Sequence, residues 1–261
     1  MNLNNLLWEQ DSSVVTVSFN RPKAMNALNQ ETLDELEQVI RKVANDSSIR
    51  VLILTGTGGK AFVGGADIGE LRALESSSAG VALCRRAQGI AASLEEMSIP
   101  VIAVINGFAL GGGLELALAC DIRLAADTAQ VGLPEITLGI IPGNGGTQRL
   151  ARLVGKGMAK YLIFTGNHLT AQEALELGIV EKVYPAGELL SQAKELASKL
   201  AMRAPVALAM AKRAINIGLD TDLATACAIE AHLFGIVVGT EDAKEGTGAF
   251  LDKRQPQFKG R

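Results

Sequence analysis

Cysteine, histidine and aromatic side chains are scarce in this chain, which has three cysteines, two histidines and 4% aromatic residues in 261 positions. Cys84, Cys120 and Cys227 are odd in number, far apart and without CxxC or Cys/His ligand spacing. That pattern argues against a disulfide framework and against a metal site, and the three read as small apolar residues. His168 and His232 have no partner at metal-binding spacing and no GxSxG nucleophile nearby, so Ser-His-Asp chemistry is not expected. Long hydrophobic runs are missing too. Stretches such as Ile99 to Ile105 stop well short of the roughly 18 residues needed to span a bilayer, and Met1 to Asn5 lacks the basic start of a secretion signal. The expectation is a cytoplasmic protein with no membrane partner.

A strong charge of one sign is also lacking: 25 basic and 28 acidic residues leave a net charge of −3. No broad positive field is available to hold a nucleic acid, although a local basic pocket for one phosphorylated ligand remains compatible with the balance. No tandem repeat of fixed period and no low-complexity linker interrupts the chain.

What the chain does have is hydrophobic composition of 48%, enough to bury a large α/β core. Val14 to Phe19, Val51 to Thr55 and Val101 to Ile105 read as strands rich in Val and Ile. Between them, Gln30 to Ala44 places Leu33, Leu36, Val39, Ile40 and Val43 on one helical face behind Asn29 as N-cap, and Val81 to Met97 reads as a second helix. Strand, helix, strand order implies an α/β core with right-handed crossovers. After Val180 to Tyr184, the pattern from Glu188 onward is helical, broken at Pro205, near Gly218 and Asp220, and around Gly239. Helices of that length should pack on the first part or on another subunit.

The 28 glycines exceed the average share of about 7% and gather at Gly56 to Gly65, Gly107 to Gly113 and Gly143 to Gly146. Nucleotide loops do not account for them. Leu54 stands where a phosphate loop ending in Gly59-Lys60 needs its first glycine, and Ala61 stands where it needs Ser or Thr. Gly143 to Gln148 lacks the third glycine of a dinucleotide fingerprint.

The run Asn106 to Asp121 reads as a strand exit, a glycine turn and an apolar helix, which places the Gly112 N–H at a helix start suited to an anion. Glu115 lies in the first turn of that helix among Leu114, Leu116 and Leu118, and Glu135 is equally isolated among apolar residues from Val131 to Gly139. Each could simply cap backbone amides. Two lone carboxylates beside glycine-rich turns also suit acid/base work, and together they tilt the reading that way.

Lys60 to Ile68, Asn106 to Asp121 and Pro134 to Arg149 resemble the enoyl-CoA hydratase (crotonase) family, and the likeness runs from Asn20 to Leu28 through to Glu245 to Phe250. The resemblance implies an α/β fold of the crotonase type, a spiral of ββα units over residues 1–195 with the active site, followed by a helical oligomerisation region over 196–261. It implies an acyl-CoA thioester substrate, with coenzyme A part of the substrate and no separate cofactor, and a homotrimer or a hexamer built from two trimers. By motif position, Ala66 and Gly112 supply the oxyanion amides and Glu115 and Glu135 the acid/base pair. Contacts to substrate and coenzyme A fall on Lys23, Ala24, Ala66, Asp67, Ile68, Gly112 and Gly143, with Phe234 and Lys253 reaching from a C-terminal region that can belong to a neighbouring subunit. For Asp67 a turn or helix cap, and for Lys253 an ordinary solvated charge, stand as alternatives.

The sequence departs from the family hydratases at Asn144, where a small residue is usual, and at Leu133, where Gln is usual. Retention of both glutamates favours hydration over the runner-up, a Δ3,Δ2-enoyl-CoA isomerase or another crotonase reaction. A non-catalytic RNA-binding relative is the remaining alternative, with Arg149, Arg152, Lys156 and Lys160 as a basic strip, but the acidic balance and the lack of interleaved aromatics weigh against it.

Overall fold

The computed structural model describes residues 3–261. The chain enters through an antiparallel hairpin of β1 (Leu6–Asp11) and β2 (Val14–Phe19), then crosses by α1 (Gln30–Asn45) to β3 (Val51–Gly56), which lies parallel to β2. Asn29 caps α1 through its side-chain oxygen, which accepts from Thr32 N at 2.9 Å, a contact of about 1 kcal/mol. The apolar stripe expected of this helix is buried, with Leu33, Leu36, Val39, Ile40 and Val43 all in the core.

From β3 onward the chain repeats one manoeuvre. It lays a strand in a large sheet, turns into a shorter strand of a second sheet, and returns through a helix. The first turn is β3, β4 (Ala61–Val63), a short α2 (Ile68–Arg72) and α3 (Ser77–Glu96). The second is β5 (Val101–Ile105), β6 (Phe108–Leu110) and α4 (Gly112–Leu118). The third is β7 (Ile122–Ala126), β8 (Gln130–Gly132), a 3-10 turn (Pro134–Leu138) and α5 (Gly146–Thr165). Successive turns stack in parallel, β3 on β5 on β7 in one sheet and β4 on β6 on β8 in the other, which is the ββα spiral the resemblance implies. Strands covered on both faces need no polar alternation, and every residue of β5 is buried.

The spiral is closed by β9 (Leu169–Thr170), which pairs antiparallel with β8, by α6 (Ala171–Glu176), and by β10 (Lys182–Tyr184) beside β7. Four helices follow: α7 (Leu189–Ala201), α8 (Pro205–Gly218), α9 (Leu223–Val238) and α10 (Glu241–Leu251). Their breaks fall at Pro205, after Gly218 and at Gly239, as the pattern indicates.

Two boundaries differ from the sequence reading. The helix expected from Val81 begins at Ser77, because the Ser76 hydroxyl accepts from Ala79 N and starts it four residues earlier. The division between residues 195 and 196 falls inside α7, whose Leu189, Ala193 and Ala197 are buried in the main core with β2, β3 and β5. The change of character therefore comes after Ala201. Beyond it, Lys212 of α8 ties the last helices to the spiral, its Nζ donating to Asp121 Oδ2 at 2.8 Å and to the carbonyl of Leu94 at 2.9 Å.

Candidate active site

The segment from Asn20 to Leu28 staples the glycine-rich stretch before α2 into place. Asn26, fully buried, accepts from Arg21 N and donates to the carbonyls of Thr57 and Ala61. Leu28 then forms a parallel bridge with Ala66, donating to Gly65 O and accepting from Asp67 N, both at 2.8 Å. That bridge uses the amides on either side of Ala66, and among the described residues the Ala66 N–H donates to no backbone group. Asp67 has both oxygens engaged: one accepts from Arg21 at 3.1 Å, the other caps Gly69 N at 3.1 Å. The Arg21 hydrogen bond holds its carboxyl below the usual range. Asp67 is a helix cap and an ion-pair partner that shapes the Ala66 turn.

The second strand exit brings α4 up to this turn. Gly111 adopts φ 50°, ψ −124°, and a Cβ there would stand 2.9 Å from Glu135 Oε1. Gly113 packs tighter still, with a Cβ position only 2.0 Å from the Val63 carbonyl of β4. Between them, Gly112 opens the helix with an amide that has no intrahelical partner. The point where a Gly112 Cβ would stand is 3.7 Å from Ala66 N, so the two residues expected to supply the oxyanion amides are neighbours in space.

Glu115, 1% exposed, does not cap its own helix. Its Oε1 accepts from Asn144 N and Gly146 N, both at 2.7 Å, so it receives the start of α5 instead. Burial raises its pKa, and these two hydrogen bonds with the Arg149 charge partly offset the rise. Glu135, in the 3-10 turn, has a buried Oε2 with no hydrogen-bond partner among the described residues. Burial pushes its pKa up to about 7; its own backbone N–H works against the rise and the Glu115 charge adds to it. The Glu115 charge therefore bears on Glu135, with the Glu135 carboxyl against Gly111 and the Glu115 carboxyl against the Asn144 and Gly146 amides.

A cavity of about 10 Å³, room for about one water, lies between Leu28, Leu33, Ile90, Gly112, Glu115 and Asn144. Of the two departures from the family pattern, Asn144 turns its side chain into this cavity, with Nδ2 3.1 Å from the Gly112 Cβ position. Leu133 is buried and packs beneath the loop at Gly146.

Lys23 and Ala24 occupy an exposed 3-10 turn (Pro22–Ala24), and Ile68 is 54% exposed at the start of α2 despite being apolar. Gly143 sits over Cys84 Sγ and its carbonyl accepts from Gln88 of α3 at 2.7 Å. Phe234 on α9 and Lys253 beyond α10 are exposed, and neither borders the cavity within this chain.

Arg149 corrects the sequence reading. Arg152, Lys156 and Lys160 are exposed, but Arg149 leaves the basic strip and turns inward. Its Nε and Nη2 donate to Glu95 at 2.6 and 2.7 Å, and its Nη1 donates to the carbonyl of Asn144 at 3.0 Å. The only local signal of this role is its place one turn after the glycine cluster.

A family model described as enoyl-CoA hydratase/isomerase matches residues 9–261. The chain is 49% identical to a short-chain-enoyl-CoA hydratase of Clostridium acetobutylicum over 267 aligned residues, covering all of both chains. It is 46% identical to a crotonyl-CoA hydratase of Syntrophomonas wolfei, covering 97% of each. The crystal structure of an enoyl-CoA hydratase from Bacillus anthracis superposes with a TM-score of 0.95 at 43% identity, covering 99% of this chain and 100% of that one.

Proposed function

The chain belongs to the enoyl-CoA hydratase/isomerase family and has the crotonase fold, and from that premise we infer how its site works as an enoyl-CoA hydratase. It is a lyase that adds water reversibly across the C2=C3 double bond of an enoyl-CoA thioester to give a 3-hydroxyacyl-CoA. The observation that carries this reading is the pair of carboxyls whose charges interact, Glu135 against Gly111 and Glu115 lining one cavity with Gly112, whose Cβ position is 3.7 Å from Ala66 N. Hydration needs one group to take a proton from water and another to give one to C2, and a single carboxyl would suffice for an isomerisation.

In the mechanism we assign, the thioester oxygen lies between Ala66 N–H and Gly112 N–H. Glu115, held as acceptor by two backbone N–H groups, takes a proton from water as the water oxygen bonds to C3. The C2=C3 electron pair moves toward the thioester oxygen, where the two amides stabilise the developing charge. Glu135, whose pKa of about 7 keeps a protonated population at neutral pH, delivers its proton to C2. Dehydration reverses each transfer.

Lys23, Ala24, Asp67, Ile68 and Gly143 belong to the same reading as the edges along which the coenzyme A portion lies; exposure of apolar Ile68 beside Ala66 supports it. Coenzyme A arrives as part of the substrate, and no separate cofactor enters the steps. Exposed Leu219, Leu223, Phe234, Phe250 and Leu251 on the last helices support assembly into a homotrimer or hexamer, in which Phe234 and Lys253 would serve a neighbour's site.

The test follows the loss of conjugated-enoyl absorbance with crotonyl-CoA. Wild type should consume it, and Glu115→Gln and Glu135→Gln should each lower kcat by on the order of 10² to 10⁴ with the fold intact. Full activity in either variant would remove that carboxyl from the chemistry.

A further inference from the structure

We propose that the carboxamide of Asn144 contacts the oxygen on C3, meaning the attacking water in hydration and the 3-hydroxyl in dehydration; this rests on the hydratase reading above. Two positions of the residue define the inference. Its backbone N–H holds Glu115 Oε1 at 2.7 Å, and its Nδ2 stands 3.1 Å from the Gly112 Cβ position, a point itself 3.7 Å from Ala66 N. The side chain therefore spans the interval between the base and the oxyanion amides. With the thioester oxygen at Gly112 and the water at Glu115, C2 and C3 must lie in that same interval.

The carboxamide is also uncommitted. The hydrogen bonds made by Asn144 among the described residues are those of its backbone N–H and carbonyl. Around the cavity it faces, Leu28, Leu33, Leu36, Ile90 and Leu116 offer no donor, and Leu133 below the loop offers none either. Glu135 lies on the other flank, against Gly111. With the Gly112 N–H assigned to the thioester oxygen, the Asn144 carboxamide is the neutral side-chain donor among the residues lining the cavity, able to orient a C3 oxygen without competing for its proton. A polar group held half-buried at a cavity is best satisfied by a ligand atom, here one that crotonyl-CoA lacks and 3-hydroxybutyryl-CoA carries.

That difference between the two substrates supplies the test. The equilibrium constant of the reaction is fixed, so any variant must lower kcat/KM by the same factor in both directions. If Asn144 bonds the C3 oxygen, Asn144→Ala and Asn144→Leu will lose in KM for 3-hydroxybutyryl-CoA, about five- to tenfold, while hydration loses the same factor in kcat with the KM for crotonyl-CoA unchanged. Asn144 is not in a left-handed conformation, so neither variant strains the backbone, and both keep the N–H that holds Glu115. Leu preserves the bulk and Ala removes it, which separates a lost hydrogen bond from a lost wall. The acid limb of the kcat profile should stay in place, showing that Glu115 is undisturbed. Equal KM changes for both substrates, or none for either, would overturn the inference while wild-type turnover upholds the hydratase reading. Wild type inert toward both would overturn that reading and this inference with it.

Discussion

The Arg149 guanidinium donates Nη1 to the carbonyl of Asn144 at 3.0 Å, while the amide of the same Asn144 donates to Glu115 at 2.7 Å. One peptide segment thus transmits the position of a cation to the position of the Glu115 carboxyl. Arg149 is itself fixed by its paired hydrogen bonds to Glu95 at the end of α3. It acts as a positioning residue. Arg149→Met should cost about 1–3 kcal/mol of stability, because partly buried Glu95 and the Asn144 carbonyl both lose a charged donor. It should also move the acid limb of the kcat profile to higher pH. Burial already raises the Glu115 pKa and Arg149 opposes the rise, so removing the cation lets it climb further. A stability loss with an unmoved profile would reduce Arg149 to a structural support.

Glu135 predicts an unusual dependence of stability on pH. Its folded pKa of about 7 exceeds the ordinary 4.5, so the folded chain holds this proton more tightly than the unfolded chain. Its contribution is fully present below pH 4.5 and is lost as pH rises through about 7. Glu135→Gln keeps the shape without the titration. Measured by urea unfolding, the variant should match wild type near pH 4.5 and exceed it at pH 8. After solvent screening of a partly exposed group is allowed for, the gain should be about 1–2 kcal/mol. A difference that does not vary with pH would mean that Glu135 has an ordinary pKa.

Adjacent glycines should respond in opposite ways. In Gly113→Ala the new Cβ would lie 2.0 Å from the Val63 carbonyl, a backbone atom of β4 that cannot yield, so this variant should lose more than about 3 kcal/mol or fail to fold. In Gly112→Ala the Cβ meets the end of the Asn144 side chain at 3.1 Å, which can shift. That variant should fold and keep its N–H. Its methyl would nevertheless occupy the space beside Ala66 N, and kcat/KM should fall by on the order of 10² to 10³. Melting curves and crotonyl-CoA kinetics on the pair separate the two roles.

The parts of this architecture legible in the sequence are those set by local pattern. Val14 to Phe19 and Val101 to Ile105 are runs rich in β-branched residues, as suits strands covered on both faces, and the strands have those bounds. Glu115 and Glu135 stand out as lone charges among apolar neighbours, and the structure brings them close enough for the Glu115 charge to act on Glu135. Arg149 could not be read this way. Its partner Glu95 is 54 residues distant, and in sequence it opens a helical series of cations with Arg152 and Lys156. Glu115 shows the same limit, since the amides it receives come from a loop about thirty residues further on, where a helix-start glutamate suggests its own helix. Phe234 and Lys253 lie beyond both kinds of signal, because their expected role needs a second chain.

That role yields the last prediction. Phe250 and Leu251 are 82% and 78% exposed at the end of α10, and Leu219 and Leu223 at the α8–α9 turn are 76% and 80% exposed. Each such side chain would gain about 1.5–3 kcal/mol on full burial, more than a surface helix leaves in water at four places by accident. Sedimentation should therefore find three or six copies of the 27.3 kDa chain, and Phe250→Asp should shift the distribution toward single chains. The dissociated variant should still carry Glu115, Glu135 and both amides, since all four belong to one spiral. If Phe234 and Lys253 reach a neighbour's coenzyme A, its KM should rise severalfold with kcat little changed. A single chain with an unaltered KM would confine Phe234 to the subunit contact and leave Lys253 a solvated charge.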